Sequence, residues 1–581
     1  MIKKIVLIIF LTITSLFSEI DSTKIISYEH FNLIEQINQT NYVTYPADEW
    51  GFAGSLSSNG LPGFANDFQY NGFNVSDPLY GGINFSWINP KYSNLEINSK
   101  KNLINQRSIY NYQKDLYSRF DWLYRGSYDL GSFGAIISGK INDEYYFTLH
   151  GENFTFPGYW DVNDINRSTS VEHNLSQDIG LNIKKVTETG TIESGFNYKK
   201  MFPGIAAFQE SSNEQGIYQE AYYDGYSKKD KKQLYLKYSE QDSLGDFQIG
   251  GQVSQFNYTY QPSDTLMDFT GQGNTYSIIA EKSRFFASDS ISISLNYNMN
   301  SVYLKNYTDV ENQVYSLQLN DRGQKSGIEY DLSLGIKNEN LIYSATLNRK
   351  LYENIYIGIN SNMNHFQYPI LYNLYAGAVK APFDTDDFFM TNSNSIFLNY
   401  KNSFIDFKTS LDYTGSEFYR PYKTSNDDSL FSFQKANLND FFINSQLTLS
   451  FPWKTSLYGK VQYSPTVDIH EFYHFHFNGS IEQELTLFKG NLNLYARGSV
   501  YYYAGGEDLI WNQEFQTVGI TDEVYYTNEP LYFSAKIGVK VGSLHGFYQF
   551  NNLENRQFSV IQSMPLQYRI QVLGIEWYFL N

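Results

Sequence analysis

The chain has 581 residues, a formal net charge of −18 and no cysteine, and 18% of its residues are aromatic. The lack of cysteine excludes disulfides, thiolate metal sites and cysteine nucleophiles, and the excess of acidic residues argues against nucleic-acid binding, which depends on basic patches. A chain so rich in aromatic rings is also not disordered.

The N-terminus has the three parts of a secretory signal peptide. Lys3 and Lys4 precede the apolar run 5–11, and Ser15 and Ser18 supply small residues near a cleavage point. The alternative is a membrane anchor, but this run is short of the roughly 20 apolar residues that a spanning helix needs. We therefore expect residues 1–18 to be a signal peptide and the protein to be exported.

Residues 61–90 differ from the rest of the chain because they are rich in glycine and alternate only briefly. Gly72 can adopt the positive φ of a hairpin turn between two short strands, and Asp77-Pro78 favours the start of a turn. We expect a compact, hydrogen-bonded unit here. The alternative is a glycine-rich periplasmic arm.

After about residue 115, apolar and polar residues alternate persistently. In 291–300, Ile291, Ile293 and Leu295 fall on one face, and Ser292 and Asn296 fall on the other. A period of two is typical of a strand with one apolar and one polar face, and many such runs reach the roughly 9–11 residues that a strand needs to cross a bilayer. This phase predicts that Leu295 faces lipid and Asn296 faces a wet lumen.

The same pattern predicts about 22 strands in all. They are expected at 118–127, 130–140, 145–153, 174–187, 191–201, 231–241, 244–259, 272–285, 291–303, 312–321, 326–338, 340–350, 355–366, 391–402, 404–415, 439–450, 455–465, 473–487, 491–502, 530–541, 543–551 and 566–579. Short links alternate with mostly long ones, as in outer-membrane barrels. The predicted fold is therefore all-β, a transmembrane antiparallel β-barrel with a small N-terminal domain, and a large soluble sandwich or propeller is the alternative.

The chain end supports a membrane barrel. Leu573, Ile575, Trp577 and Phe579 share one strand face. This end resembles the closing strand of bacterial outer-membrane barrels, which implies insertion by the barrel-assembly machinery into the outer membrane of a Gram-negative-type bacterium, in contact with its lipid.

Several short motifs precede the predicted barrel in a fixed order. The residues concerned are Asn59, Gly60, Leu61, Asn71, Gly72, Asp77, Pro78, Pro90 and Glu96. In this order they resemble the "RGL", "DG-(I/V)-P-(L/V)-NDP" and "IP…IERIEV" segments in the plug domain of TonB-dependent outer-membrane receptors, and 31–38 looks like the short helix of that domain. The resemblance implies a shortened plug at 19–101, a barrel at 102–581, and uptake of a small, scarce solute.

Coupling to the TonB complex is left open by two departures from the family. Asn59 replaces the arginine of the "RGL" motif, and residues 22–30, the only room for a TonB box, contain no clear one. Three functions follow as alternatives. The preferred one is receptor-like uptake through a plugged barrel, and the others are a passive porin-like channel without energy coupling and a surface-display barrel that binds a partner.

Aromatic residues in the long links are candidates for solute contact, because ring faces stack on ring-bearing solutes. The candidates are Tyr222, Tyr372, Tyr375, Trp511 and Tyr525. Their alternative role is the aromatic girdle at the membrane interface. His474 and His476 are weak candidates for a metal site and more often would lie at an aqueous rim. The chain has no phosphate-binding loop and no H-E-x-x-H motif, so we expect neither an enzyme nor a cofactor.

Overall fold

The computed structural model describes most of the chain from residue 43 to residue 579. The described residues are 43–46, 54–57, 59–82, 91–98, 102–112, 116–124, 131–156, 174–202, 208–209, 220–221, 226–261, 268–286, 289–305, 307, 309–375, 387–423, 431–465, 474–505, 509–512, 515, 517–521, 531–554 and 569–579. The signal peptide expected at 1–18 and the helix expected at 31–38 lie outside these ranges.

Within the described residues, 22 antiparallel strands form a closed barrel. They are β7 (Tyr117–Tyr124), β8 (Gly131–Lys140), β9 (Tyr145–Phe156), β10 (Asn174–Val186), β11 (Gly190–Phe202), β14 (Tyr226–Asp242), β15 (Gly245–Gln261), β16 (Phe269–Phe286), β17 (Asp289–Leu304), β18 (Val310–Lys325), β19 (Ile328–Lys337), β20 (Asn340–Tyr352), β21 (Ile355–Gln367), β22 (Phe388–Lys401), β23 (Ile405–Lys423), β24 (Phe431–Ser450), β25 (Thr455–Tyr463), β26 (Phe475–Leu487), β27 (Leu492–Ala504), β30 (Leu531–Val541), β31 (Leu544–Asn551) and β32 (Ile570–Phe579). All the predicted strands are confirmed.

The outer face of the barrel is apolar and the inner face is polar. On β17, Leu295 is 44% exposed on the outside and pairs with the equally outward Leu317 of β18. The next residue, Asn296, points inward and donates from Nδ2 to Ser316 Oγ at 3.5 Å. An exposed apolar band of this kind suits contact with lipid rather than with water, which agrees with the predicted phase.

The barrel closes through its last strand. In β32, Leu573, Trp577 and Phe579 are exposed on the outer face, and the strand pairs antiparallel with β7, with Ile575 opposite Trp122. Closure leaves no open sheet edge, which a membrane-spanning sheet could not tolerate. Among the described residues, no helix has both the length and the apolar character needed to cross a membrane.

A small sheet inside the barrel precedes β7, and we call it the plug sheet. Its strands, in the order β4-β3-β6-β5, are β3 (Asp67–Tyr70), β4 (Phe73–Asn74), β5 (Ser93–Asn98) and β6 (Leu103–Ser108). The expected turn is present, with φ of 53° at Asn71 and 92° at Gly72, the left-handed values that an Asn-Gly hairpin requires. Because β6 pairs with both β3 and β5, the sheet ends at Ser108 rather than at the boundary expected at residue 101.

The sequence did not predict the remaining short elements. These are the strand pair β1 (Val43–Pro46) and β2 (Gly54–Ser57), the loop pair β12 (Phe208–Gln209) and β13 (Glu220–Ala221), the helix α1 (Ile370–Tyr375), and the hairpin β28 (Leu509–Asn512) with β29 (Thr517–Thr521). α1 and the β28–β29 hairpin belong to long links on one rim, and β29 also pairs in parallel with β23. Both contribute buried residues to the core cluster that includes the plug.

Candidate functional site

The "RGL"-like tripeptide joins the plug to the barrel wall through neutral groups. Asn59 and Gly60 have φ of 51° and 79°, and Leu61 is buried in the hydrophobic core. Asn59 Oδ1 accepts hydrogen bonds from Asn444 Nδ2 and Gln462 Nε2, each at 3.2 Å. The asparagine that replaces the family's arginine therefore forms an amide contact with β24 and β25.

The Asn-Gly turn forms a second contact, with the wall at β14. Asn71 Nδ2 donates to Tyr235 Oη at 2.8 Å and to Ser108 Oγ at 2.9 Å. Its Oδ1 accepts from the backbone N–H of Ser108 at 3.0 Å. One buried amide thus holds the hairpin, the end of the plug sheet and the wall together.

Asp77 forms a third contact and also shapes the chain around it. Its Oδ1 accepts from the backbone N–H groups of Leu79 and Tyr80, at 2.9 and 3.3 Å, and from Tyr258 Oη at 2.8 Å. Lys229 Nζ lies 3.9 Å from Asp77 Oδ2 and 3.5 Å from the centre of the Tyr80 ring. Lys229 is only 1% exposed, and the carboxylate and the ring face offset part of the cost of burying its ammonium.

Lys91 forms a fourth contact, which the sequence did not predict. Its Nζ lies 3.2 Å from Asp121 Oδ2 and 3.3 Å from Ser132 Oγ, and it also bonds to Glu152. Burial acts against the charged form, but the Asp121 and Glu152 carboxylates outweigh it and hold the pKa of Lys91 above its ordinary value. Lys91 is therefore a charged plug residue, 8% exposed, inside a carboxylate pair of the wall.

Tyr92 extends this contact. Its Oη donates to Asp121 Oδ1 at 2.9 Å, and its ring stacks on His150 with 5.2 Å between ring centres. A Cβ at Gly134 would lie 1.8 Å from Tyr92 Oη, so glycine is required in the wall where this ring approaches.

A small polar cavity lies beside this cluster. Its volume is about 40 Å³, and Tyr70, Tyr92, His150, Asp178 and Lys199 are among the residues that line it. At roughly 10–15 Å³ per water molecule, it holds about three waters. It is too small for an organic solute, so the plug fits the wall closely here.

The three remaining motif residues lie in different surroundings. Pro78 follows Asp77 and lies near Gly273 of β16. Glu96 of β5 is exposed and pairs with Arg107 at 2.8 Å, whereas Pro90 lies outside the described residues.

Tyr372 is buried, which corrects its expected role as an exposed stacking residue. It is 1% exposed, and its ring centre lies 5.6 Å from that of Phe64 in the plug, 4.8 Å from Phe433 and 5.0 Å from Phe515. The neighbouring Leu371 N–H donates to Leu79 O at 3.0 Å. α1 is thus packed and hydrogen-bonded onto the plug, and the Tyr372 ring serves packing.

The other predicted contact residues are only partly placed. Tyr375 ends α1 and Trp511 lies in β28, but their side chains, like Tyr222 and Tyr525 as a whole, fall outside what the structure describes. His476 is buried, with its ring centre 4.6 Å from that of Tyr503, and His474 is half-buried. Within the described ranges, no group of three or more His, Asp and Glu residues is arranged to hold a metal.

No protein-family model matches the sequence, and no curated protein matches it. The structure is similar to the siderophore receptor PirA from Acinetobacter baumannii, with a TM-score of 0.70 and 10% identity over 96% of this chain and 98% of that chain. It is also similar to a mutant of the ferric enterobactin receptor PfeA from Pseudomonas aeruginosa in complex with enterobactin, with a TM-score of 0.71 and 10% identity over 96% and 99%. For the FrpB iron transporter from Neisseria meningitidis, the TM-score is 0.69 and the identity is 11% over 95% and 97%. The chain has the fold of TonB-dependent outer-membrane receptors.

This likeness confirms the predicted barrel and, at the level of the fold, the resemblance to TonB-dependent receptors. It spans nearly the whole of each chain. The three proteins are described as receptors or a transporter.

Proposed function

We propose that this protein is an outer-membrane receptor that takes up a small, scarce solute through a plugged β-barrel. The observation that carries the proposal is the plug sheet in the lumen, whose turn and flanking segments contact the wall through Asn59, Asn71, Asp77 and Lys91. So many buried polar contacts suit a regulated closure, and they disfavour the alternative of a steadily open diffusion channel.

The solved structures of similar fold suggest the first solute to test. They are described as receptors for siderophores or as an iron transporter. A ferric siderophore is therefore the first candidate cargo. Export by the predicted signal peptide, insertion by the barrel-assembly machinery and a place in the outer membrane of a Gram-negative-type bacterium belong to the same proposal.

Conductance in planar lipid bilayers tests the closure. The full-length protein should conduct little, because the plug contacts close the lumen. A variant that lacks residues 43–108 should conduct steadily. Equal conductance of the two proteins would contradict a plug that closes the lumen.

Energy coupling is tested separately, with radioactive iron supplied as a ferric siderophore to cells. Uptake that stops when the proton-motive force is collapsed indicates coupling to the TonB complex, and uptake that persists indicates a passive route. A protein that binds a partner at the cell surface without transport would give no uptake in either condition.

A further inference from the structure

The lumen wall has two sectors of different chemistry. On β7–β11 and β14, inward-facing side chains are charged and paired, as in the Lys199–Asp178 contact at 3.2 Å and the Lys91–Glu152 contact. On β17–β21 most inward-facing side chains at mid-height are amides and hydroxyls, with Val314 and Ile342 among the exceptions. We call this second sector the amide wall and define it by Asn296, Asn298 and Asn300 on β17, Gln318 and Asn320 on β18, and Asn362 on β21.

The amide wall carries no charge over most of its height. The alternation that points Asn296 inward leaves no Asp, Glu, Lys or Arg among the inward-facing positions of 292–300, 312–320, 333–335, 342–348 and 358–364, all of which the structure describes. Charged residues reappear only towards the rims, with Lys337 at one end and Arg322 and Asp331 at the other. A charged solute would therefore find no opposite charge along this wall.

The wall also has unused hydrogen-bonding capacity of both kinds. Asn312 Oδ1 and Asn348 Oδ1 are buried acceptors without a partner, and Asn362 Nδ2 is a buried donor without one. Ser344 Oγ, which can donate or accept a hydrogen bond, is also buried without a partner. Such groups are costly to leave unpaired. The amide and hydroxyl side chains of this wall thus include both donors and acceptors, as do the hydroxyl and amide groups of a neutral solute, whereas an anionic oxygen can only accept.

The plug is attached mainly to other sectors. Its polar side-chain contacts described above reach β7–β9 from Lys91 and Tyr92, β14–β15 from Asn71 and Asp77, and β24–β25 from Asn59. The amide wall lies between the attachments at β14–β15 and at β24–β25. A plug that moves away from this sector breaks few of these polar side-chain bonds, although it must also release its packing against α1, which follows β21.

A groove continues the amide wall at its short-turn end. It has a volume of about 480 Å³, and Asn348, Arg322, Glu329 and Asp331 are among its lining residues. Arg322 pairs with Asp331 at 3.0 Å, and Glu329 adds a further negative charge. The exit from the wall is thus acidic, which opposes an anion.

We propose that the cargo passes along the amide wall and that it is an electrically neutral solute rich in hydrogen-bonding groups. This inference rests on the proposed function and names its substrate class. Among iron chelates, a ferric trihydroxamate fits, because its three ligands cancel the charge of the ferric ion. A ferric tricatecholate, which is strongly anionic, does not fit, because the wall offers it no compensating cation.

The test compares uptake of the two chelates. Cells without siderophore receptors of their own express the full-length protein and receive radioactive iron as ferrichrome, a neutral trihydroxamate, or as anionic ferric enterobactin. We expect ferrichrome to be taken up about tenfold faster, which corresponds to roughly 1.4 kcal/mol of discrimination. Equal or faster uptake of ferric enterobactin would overturn the inference and leave the proposed function standing. Uptake of neither would overturn the proposed iron uptake and the inference with it.

A pair of variants tests the route itself. Asn298→Asp places a charge on the amide wall with almost no change of shape, and Asn493→Asp makes the same change at a half-buried, inward-facing position on β27. We expect Asn298→Asp to slow ferrichrome uptake several-fold more than Asn493→Asp does, with equal amounts of both proteins in the membrane. Equal rates in the two variants would remove the amide wall as the route.

Discussion

Leu295 and Asn296 are adjacent residues on β17 that face different surroundings, one outside the barrel and one inside it. Leu295→Arg should cost about 2–4 kcal/mol of folding free energy if it lies near mid-bilayer, because it places a cation against lipid. Asn296→Arg should cost far less, because the lumen is polar. Reversible unfolding in lipid vesicles by denaturant titration measures both values, and equal costs would show that the strand phase is wrong.

The same two residues show why the strands could be predicted from the sequence. A barrel wall has different surroundings on its two sides, so apolar and polar residues alternate along each strand and indicate which face points outward. The Asn71-Gly72 turn was also predictable, because its backbone requirement is local. The contact of Lys91 could not be predicted, because its partners Asp121 and Glu152 lie on barrel strands and no local sequence spacing indicates the pairing.

Among the elements that the sequence did not predict, α1 and the β28–β29 hairpin contribute buried residues to the core cluster. Each is short and lies in a long link, and each is stabilised by burial against the plug or the wall rather than by its own periodicity. The burial of Tyr372 also shows why the sequence could not decide its role. An aromatic residue in a link is consistent with either role, and only the packing of Phe64, Phe433 and Phe515 around it decides between them.

α1 connects the long link between β21 and β22 directly to the plug, through the Tyr372 ring and the Leu371–Leu79 hydrogen bond. Tyr372→Ala should remove about 3–5 kcal/mol of packing, as for other large buried rings, and should loosen the plug residues next to Leu79. Hydrogen exchange followed by mass spectrometry should then show faster exchange of the amides in 75–81.

Tyr352→Ala is the matched control for this effect, because Tyr352 is a 73% exposed tyrosine on the opposite rim. It should leave exchange in 75–81 unchanged. If the two variants exchanged alike, α1 would not hold the plug, and movement of this loop could not reach the Asp77 segment.

At the scale of the whole molecule, the plug is held by contacts of unequal strength around the lumen. The contact at Asn59 is neutral, whereas the contact at Lys91 is a buried ionic cluster with Asp121 and Glu152. Breaking a buried ion pair by removing one partner typically costs more than losing a neutral hydrogen bond. The plug should therefore stay attached longest on the β7–β9 side, and the proposed passage along the amide wall lies away from that anchor.

Replacing the lysine of this anchor tests the asymmetry. Lys91→Met should cost about 3–5 kcal/mol, because it removes the cation that lies between two buried carboxylates, and it should raise the bilayer conductance of the full-length protein. Arg107→Met is the matched control, since its pair with Glu96 is 61% exposed on both sides and contributes little. Adding Asp121→Asn and Glu152→Gln to Lys91→Met should restore part of the stability, because the unpaired charges are then gone. If Lys91→Met behaved like Arg107→Met, the plug would have to be held by its neutral contacts, and the direction of opening derived from the anchor would be wrong.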